Sequence, residues 1–106
     1  IGVLGLSFKP DTDDIRDSRA IPIIKKLKQE KAKIVAYDPK ATENFKKIFP
    51  DINYCNSASD LLDSDAILIT TAWGEFKKLD FSQKIVIDGR RLKEAEKARI
   101  YEGICW

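Results

Sequence analysis

Short apolar runs alternate along this chain with charged, turn-rich stretches. The run Ile1-Gly2-Val3-Leu4-Gly5-Leu6 contains no polar side chain, the pattern of a strand buried on both faces. Residues 7–17 (SFKPDTDDIRD) read as a loop dense in charges and turn formers. Ser18 is the candidate N-cap of a helix carrying Ala20, Ile23, Ile24 and Leu27 on one face, with Pro22 in or just beyond its first turn. Lys25, Lys26, Lys28 and Lys31 collect toward its C-terminal half, where they complement the helix dipole. A second strand at 34–37 ends at Asp38-Pro39, and a weaker helix from Thr42 to Phe49 stops at Pro50.

Farther on, residues 52–55 suit a short third strand, and Ser57 or Ser59 can cap a short helix through Leu61 and Leu62. Residues 66–71 (AILITT) form the clearest strand after the first, and residues 73–79 read as a loop with one helical turn. Ile85-Val86-Ile87 predicts another buried strand, closed by Asp88-Gly89-Arg90-Arg91; a short helix near 92–98 and a last strand at 100–104 follow. Buried strands alternating with amphipathic helices predict an α/β fold: three layers, doubly wound in the Rossmann-like manner around a mainly parallel sheet, in a single domain. Ligands of such sheets sit beyond the C-terminal strand ends, near the topological switch point. That singles out the loops at 7–17, 38–40, 70–76 and 88–91, which hold the distinctive polar residues.

Composition narrows the chemistry. The chain has 106 residues, 43% of them hydrophobic, enough for one core without disulfides or metal. Lys and Arg number 19 against 17 Asp and Glu, a net charge of +2 that gives no warrant for a nucleic-acid or membrane partner. No apolar run approaches the roughly 20 residues of a membrane span. Histidine is absent, which removes Ser-His-Asp and Cys-His chemistry and most zinc sites. Cys55 and Cys105 stand far apart and read as reduced core thiols, in keeping with a cytoplasmic protein. The chain opens inside an apolar run and lacks Met, so it reads as a segment of a longer polypeptide.

Gly2 and Gly5 invite a dinucleotide-site reading, but the G-x-G-x-x-G spacing fails, because Phe8 and Lys9 occupy the turn. Asp38 at the end of the second strand mimics a ribose-binding acid, although a turn or cap role fits it better. Lys9 and Arg16 could meet phosphate or sugar oxygens, or they could simply pair with Asp11, Asp13 and Asp14 to hold the loop. A phosphorelay receiver domain shares the size and topology. It needs an acidic residue where Cys55-Asn56-Ser57 stands and a lysine where Arg90 stands, so that reading is set aside.

Residues 5–18 (GLSFKPDTDDIRDS) resemble the G-L-[AS]-F-K-x-x-T-D-D-x-R-[ED]-S signature opening the C-terminal domain of UDP-glucose/GDP-mannose dehydrogenases. Val35-Ala36-Tyr37-Asp38-Pro39, Thr71-Ala72-Trp73-Gly74-Glu75-Phe76 and Asp88-Gly89-Arg90 follow in that family's order. The resemblance implies the nucleotide-sugar-binding domain of an enzyme that oxidises C6 of the sugar from alcohol to carboxylate with two NAD molecules in succession. It implies that Phe8, Lys9 and Arg90 bind substrate and that Arg16 reaches the cofactor NAD in the domain cleft. For Arg90 a plain turn role paired with Asp88 stands as the alternative.

The resemblance also implies a homodimer whose NAD fold, dimerising region and nucleophilic cysteine lie upstream, so no catalytic or metal-binding residue is expected in this segment and the fragment should be inactive alone. Two departures stand out: Ser18-Arg19-Ala20 replaces the usual S-P-A, and Arg91 stands where many relatives carry Asn. Thr71-Ala72-Trp73 with Glu75-Phe76 looks most like UDP-glucose 6-dehydrogenases. UDP-N-acetylmannosamine dehydrogenases come second and GDP-mannose dehydrogenases third; a stand-alone nucleotide-binding or regulatory module is the non-enzymatic alternative.

Overall fold

The computed structural model describes residues 1–103. Strands β1 (Gly2–Leu4), β2 (Val35–Tyr37), β3 (Asn53–Tyr54), β4 (Ala66–Ile69), β5 (Ile85–Asp88) and β6 (Ile100–Gly103) form one sheet in the order β3-β2-β1-β4-β5-β6. Every neighbouring pair is parallel, with Gly2 in register with both Val35 and Ile67. The chain winds outward from β1 to β3, then crosses back to β4, so the switch point lies between β1 and β4. The doubly wound expectation holds.

The period-2 alternation of the strands divides the core between the two faces of the sheet. Val3, Leu6, Ala36 and Ile34 pack against α1 (Ala20–Gln29) and α2 (Thr42–Lys46) through Ala20, Ile24 and Phe45, joined by Phe49 just beyond α2. On the other face Leu4, Ile67, Ile69 and Val86 meet Leu61 of α3 (Ala58–Leu61) together with Trp73, Phe76 and Phe81. The expected apolar stripe of α1 is shared: Ala20, Ile24 and Leu27 join the core, whereas Ile23 points to a cavity beside β4 and β5.

Helix ends follow local chemistry. Ser18 acts one residue before the formal cap: its hydroxyl accepts the Ala20 N–H at 3.2 Å and donates to the Leu6 carbonyl at 2.6 Å, tying the helix start to the end of the first strand run. At the other end Ala32 N–H reaches the Leu27 carbonyl and Lys31 N–H the Lys28 carbonyl, with Lys31 left-handed at φ 62°. This is a Schellman turn closed by a residue other than its usual glycine. Ser57, rather than Ser59, caps α3 by accepting the Asp60 N–H.

Several elements are shorter than the pattern predicts. α2 ends at Lys46 and continues to Phe49 as tight turns before Pro50. The loop with one helical turn expected at 73–79 holds a 3-10 turn at Gly74–Lys78, whereas the short helix expected near 92–98 is reduced to a 3-10 turn at Lys93–Lys97. Each buries one side chain, Phe76 or Ala95, too little for an α-helix to draw stability from packing. The last strand is described to Gly103; Ile104 and Cys105 lie outside the described residues.

Candidate functional site

The loop joining β1 to α1 has a fixed root and a projecting tip. Gly5 begins it at φ 93°, with its N–H donating to the Tyr37 carbonyl at 2.9 Å. A Cβ on Gly5 would stand 2.5 Å from Thr71 Cβ, so glycine is required by backbone shape and by the approach of the β4 end. Leu6 and Ser7 donate their N–H groups to Asp38 Oδ2 at 2.8 and 3.0 Å, and Thr71 Oγ1 donates to the Ser7 carbonyl at 2.6 Å. The tip is then closed on itself, Phe8 N–H reaching the Asp14 carbonyl at 2.7 Å and the Ser7 hydroxyl the Lys9 carbonyl at 2.8 Å. Asp11 and Asp17 take left-handed conformations, which short polar side chains tolerate better than most.

Projecting from this root are Phe8 and Lys9. Phe8 is 44% exposed, an unusual state for a phenyl ring on an ordered loop. Lys9 is exposed and, among the described residues, has no carboxylate within ion-pairing distance. Arg16 behaves differently. Its Nη2 meets Asp14 Oδ2 at 2.9 Å and its Nε meets Oδ1 at 3.1 Å, while its own N–H donates to Oδ1. Those hydrogen bonds, ahead of the bare charge of Arg16, hold the Asp14 carboxyl at about 2 and push the guanidinium pKa up. Of the two readings left open by the residues, pairing therefore describes Arg16 in this state, while Lys9 makes no ion pair among the described residues and acts on Asp14 only through its charge.

The second cationic element follows β5. Asp88 is fully buried and accepts Arg90 N–H at 2.8 Å, Leu92 N–H at 2.6 Å and the Tyr101 hydroxyl at 2.8 Å. It thus shapes the turn through the Arg90 backbone, and the guanidinium is directed elsewhere: Nε donates to the Thr70 carbonyl at 2.8 Å. Arg90 lines a cavity of about 300 Å³ between the start of α1, at Arg19, Pro22 and Ile23, and the ends of β4 and β5, at Thr70 and Ile87. Arg91, at φ 57°, occupies the left-handed position where an asparagine would be less strained.

Thr70 and Thr71, at the end of the intervening strand, join the two loops. Thr70 donates its hydroxyl to the Gly5 carbonyl and offers its own carbonyl to Arg90; Thr71 holds Ser7. Sequence reasoning passed over both as site members. Their signal was two hydroxyls ending an otherwise apolar strand, a place where buried polar groups must find partners.

Asp38 is not a ribose-binding acid. It is 2% exposed, and both oxygens are occupied by N–H donors from Leu6, Ser7, Lys40, Ala41 and the Trp73 indole. The N–H groups that would cradle a pyrophosphate at this turn are thereby already bonded to Asp38 and Asp14. The turn does not fit a dinucleotide. Cys55 is half-buried, and desolvation, followed by the charges of Asp60 and Asp63, pushes its thiol up, away from nucleophilic use.

Residues 2–95 match the UDP-binding-domain model of the UDP-glucose/GDP-mannose dehydrogenase family. The chain belongs to that family. Within it, a UDP-glucose 6-dehydrogenase of Haloferax volcanii is 49% identical over 98% of this chain, and one of Rickettsia bellii is 43% identical over 91%. The chain spans 26% and 24% of the lengths of these two relatives, about a quarter of each. A UDP-glucose dehydrogenase structure from the archaeon Pyrobaculum islandicum superposes with a TM-score of 0.95 at 41% identity, covering 99% of this chain and 25% of that one. A GDP-mannose dehydrogenase of Pseudomonas aeruginosa shares the fold at 22% identity and a TM-score of 0.73, over 99% of this chain and 28% of that one. Membership in the UDP-glucose/GDP-mannose dehydrogenase family agrees with the signature at residues 5–18 and with the strand-end placement of its polar residues.

Proposed function

We propose that this chain is the UDP-binding C-terminal domain of a cytoplasmic, homodimeric, NAD-dependent UDP-glucose 6-dehydrogenase, and that its C-terminal strand edge forms half of the substrate cleft. The observation that carries the reading is the pair of cationic side chains on loops flanking the β4 end. Among the described residues, Lys9 is unpaired by any carboxylate and the Arg90 side chain is held through Nε alone, at the rim of the cavity. A nucleoside diphosphate sugar carries about two negative charges, which an ammonium and a guanidinium can meet through charge-assisted hydrogen bonds.

In this reading Phe8 supplies an apolar surface to the nucleotide sugar, Lys9 a mobile point charge, and Arg90 a pre-oriented fork. Arg16 exchanges its internal partner Asp14 for NAD when the cleft closes. NAD, when bound, accepts hydride from C6 of the sugar. This chain's part is to bind and orient the substrate, and the nucleophilic cysteine belongs to the remainder of the polypeptide. Relatives of both sequence and structure bearing the name UDP-glucose dehydrogenase support this substrate over UDP-N-acetylmannosamine or GDP-mannose.

Calorimetric titration of the full-length protein with UDP, UDP-glucose, UDP-N-acetylmannosamine and GDP-mannose tests the assignment. UDP and UDP-glucose should bind, and UDP-glucose alone among the sugars should be oxidised in the presence of NAD. Preferential binding and oxidation of either other sugar would overturn it. The isolated domain should produce no NADH from UDP-glucose and NAD.

A further inference from the structure

Asp38 has no role in the function proposed above, yet it is the most heavily bonded side chain of the strand edge. Its carboxylate is buried, and no lysine or arginine among the described residues pairs with it. It is instead surrounded by N–H donors from three separate loops. Oδ2 takes Leu6 N–H at 2.8 Å, Ser7 N–H at 3.0 Å and Trp73 Nε1–H at 3.0 Å. Oδ1 takes Lys40 N–H at 2.9 Å and Ala41 N–H at 2.8 Å. A buried carboxylate is tolerated where its acceptor capacity is filled in this way.

The spatial logic is specific. Leu6 and Ser7 directly precede Phe8 and Lys9, and nothing else in the described structure accepts their N–H groups. Trp73 follows β4, Lys40 and Ala41 precede α2, and all three loops therefore turn on one carboxyl group at the ends of adjacent strands β2, β1 and β4. Every partner is a donor, so a carboxylate is required: an asparagine of the same shape would aim an NH₂ group at two or three N–H groups. Asp88 repeats the device at the Arg90 turn, with three donors on one buried carboxylate.

We propose that Asp38 is a positioning residue for nucleotide-sugar binding, acting through Leu6 and Ser7 to present Phe8 and Lys9 at the cleft. The proposal rests on the reading that Lys9 contacts substrate.

The test uses the full-length enzyme and compares Asp38→Asn with Lys9→Ala. Asp38→Asn should raise the KM for UDP-glucose about tenfold or more while kcat falls less than about twofold, the mark of a displaced binding group. Hydrogen exchange read by mass spectrometry should accelerate in peptides covering residues 6–9 and stay unchanged across β4 and β5. Unchanged KM with unchanged exchange, or faster exchange throughout the domain, would contradict positioning. If Asp38→Asn does not fold, Trp73→Phe decides, since it removes one donor and keeps the aromatic packing. It should raise KM roughly two- to threefold with exchange changes confined to the same loops, and wild-type values in both would overturn the proposal. Lys9→Ala separates the two claims: an unchanged KM there defeats the substrate assignment, whereas the exchange data on Asp38→Asn still decide whether the loop is held.

Discussion

Arg90 and Arg16 occupy similar places in the fold, on loops leaving the C-terminal ends of parallel strands, but they are secured in opposite ways. Arg90 sits on a turn whose backbone is bonded to the fully buried Asp88, and its Nε is fixed to the carbonyl of a strand end. Among the described residues, the Arg16 side chain is hydrogen-bonded only to Asp14, two residues away, and is 88% exposed. An arginine anchored to a distant, buried backbone group is pre-oriented for a ligand. One paired with its own neighbour on the surface can exchange that partner at little cost. Under the proposed function, that contrast suits the Arg90 turn to standing substrate recognition and Arg16 to exchanging partners.

The largest effect should come from breaking the fixed root that both loops share. Gly5→Ala forces a Cβ against Thr71 in a left-handed conformation and should cost roughly 2–4 kcal/mol of stability by chemical denaturation. A loss under about 0.5 kcal/mol would mean the root is pliable and the comparison between anchored and free arginines unfounded. Next, Arg90→Ala in the full-length enzyme should weaken UDP-glucose binding by roughly 1.5–3 kcal/mol, and Arg90→Lys should fail to restore it because the Nε bond to Thr70 is lost. Arg16→Ala should leave UDP affinity unchanged and raise the KM for NAD instead.

A smaller effect tests the backbone rather than the charge. Lys31→Gly relieves the left-handed position closing α1 and should stabilise the protein by about 0.5–1 kcal/mol, read as a raised midpoint in denaturant. The smallest effect concerns the Asp14–Arg16 pair. The Asp14 carboxyl is depressed from 3.8 to about 2, so the pair's contribution is complete above pH 4 and fades as the pH falls through about 2. Carboxyl carbon shifts in a labelled protein should report a midpoint near the lower value; a midpoint near 4 would mean Arg16 is already free. Because the pair is exposed, Asp14→Asn should leave thermal stability at neutral pH essentially unaltered.

Much of this arrangement could be read from the chain. The strands at 66–69 and 85–88 announce themselves as apolar runs ended by Thr70 and Asp88, and the alternation of strands and helices carried the parallel, doubly wound sheet. The strand-end location of Phe8, Lys9 and Arg90 was legible from motif and position, and all three lie on loops after β1 and β5. What stayed hidden is the bonding that holds them. Thr70 reaches across 65 residues to the Gly5 carbonyl, and Trp73 across 35 to Asp38. Neither link leaves a periodic trace, because hydrogen-bond partners brought together by a crossover are set by tertiary register rather than by local spacing. The helix expected near 92–98 fails for a related reason: 93–97 (KEAEK) favours helix by composition, but only Ala95 of that segment finds a core to enter.

The central claim is that this strand edge is half of a nucleotide-sugar cleft gripped by Lys9 and Arg90. Calorimetric titration of UDP into the full-length wild type and the Lys9→Ala/Arg90→Ala double variant tests it most directly. The account predicts a loss of roughly tenfold to a hundredfold in affinity for each cation removed, leaving the double variant with scarcely measurable binding. A double variant that binds UDP as tightly as the wild type would contradict it.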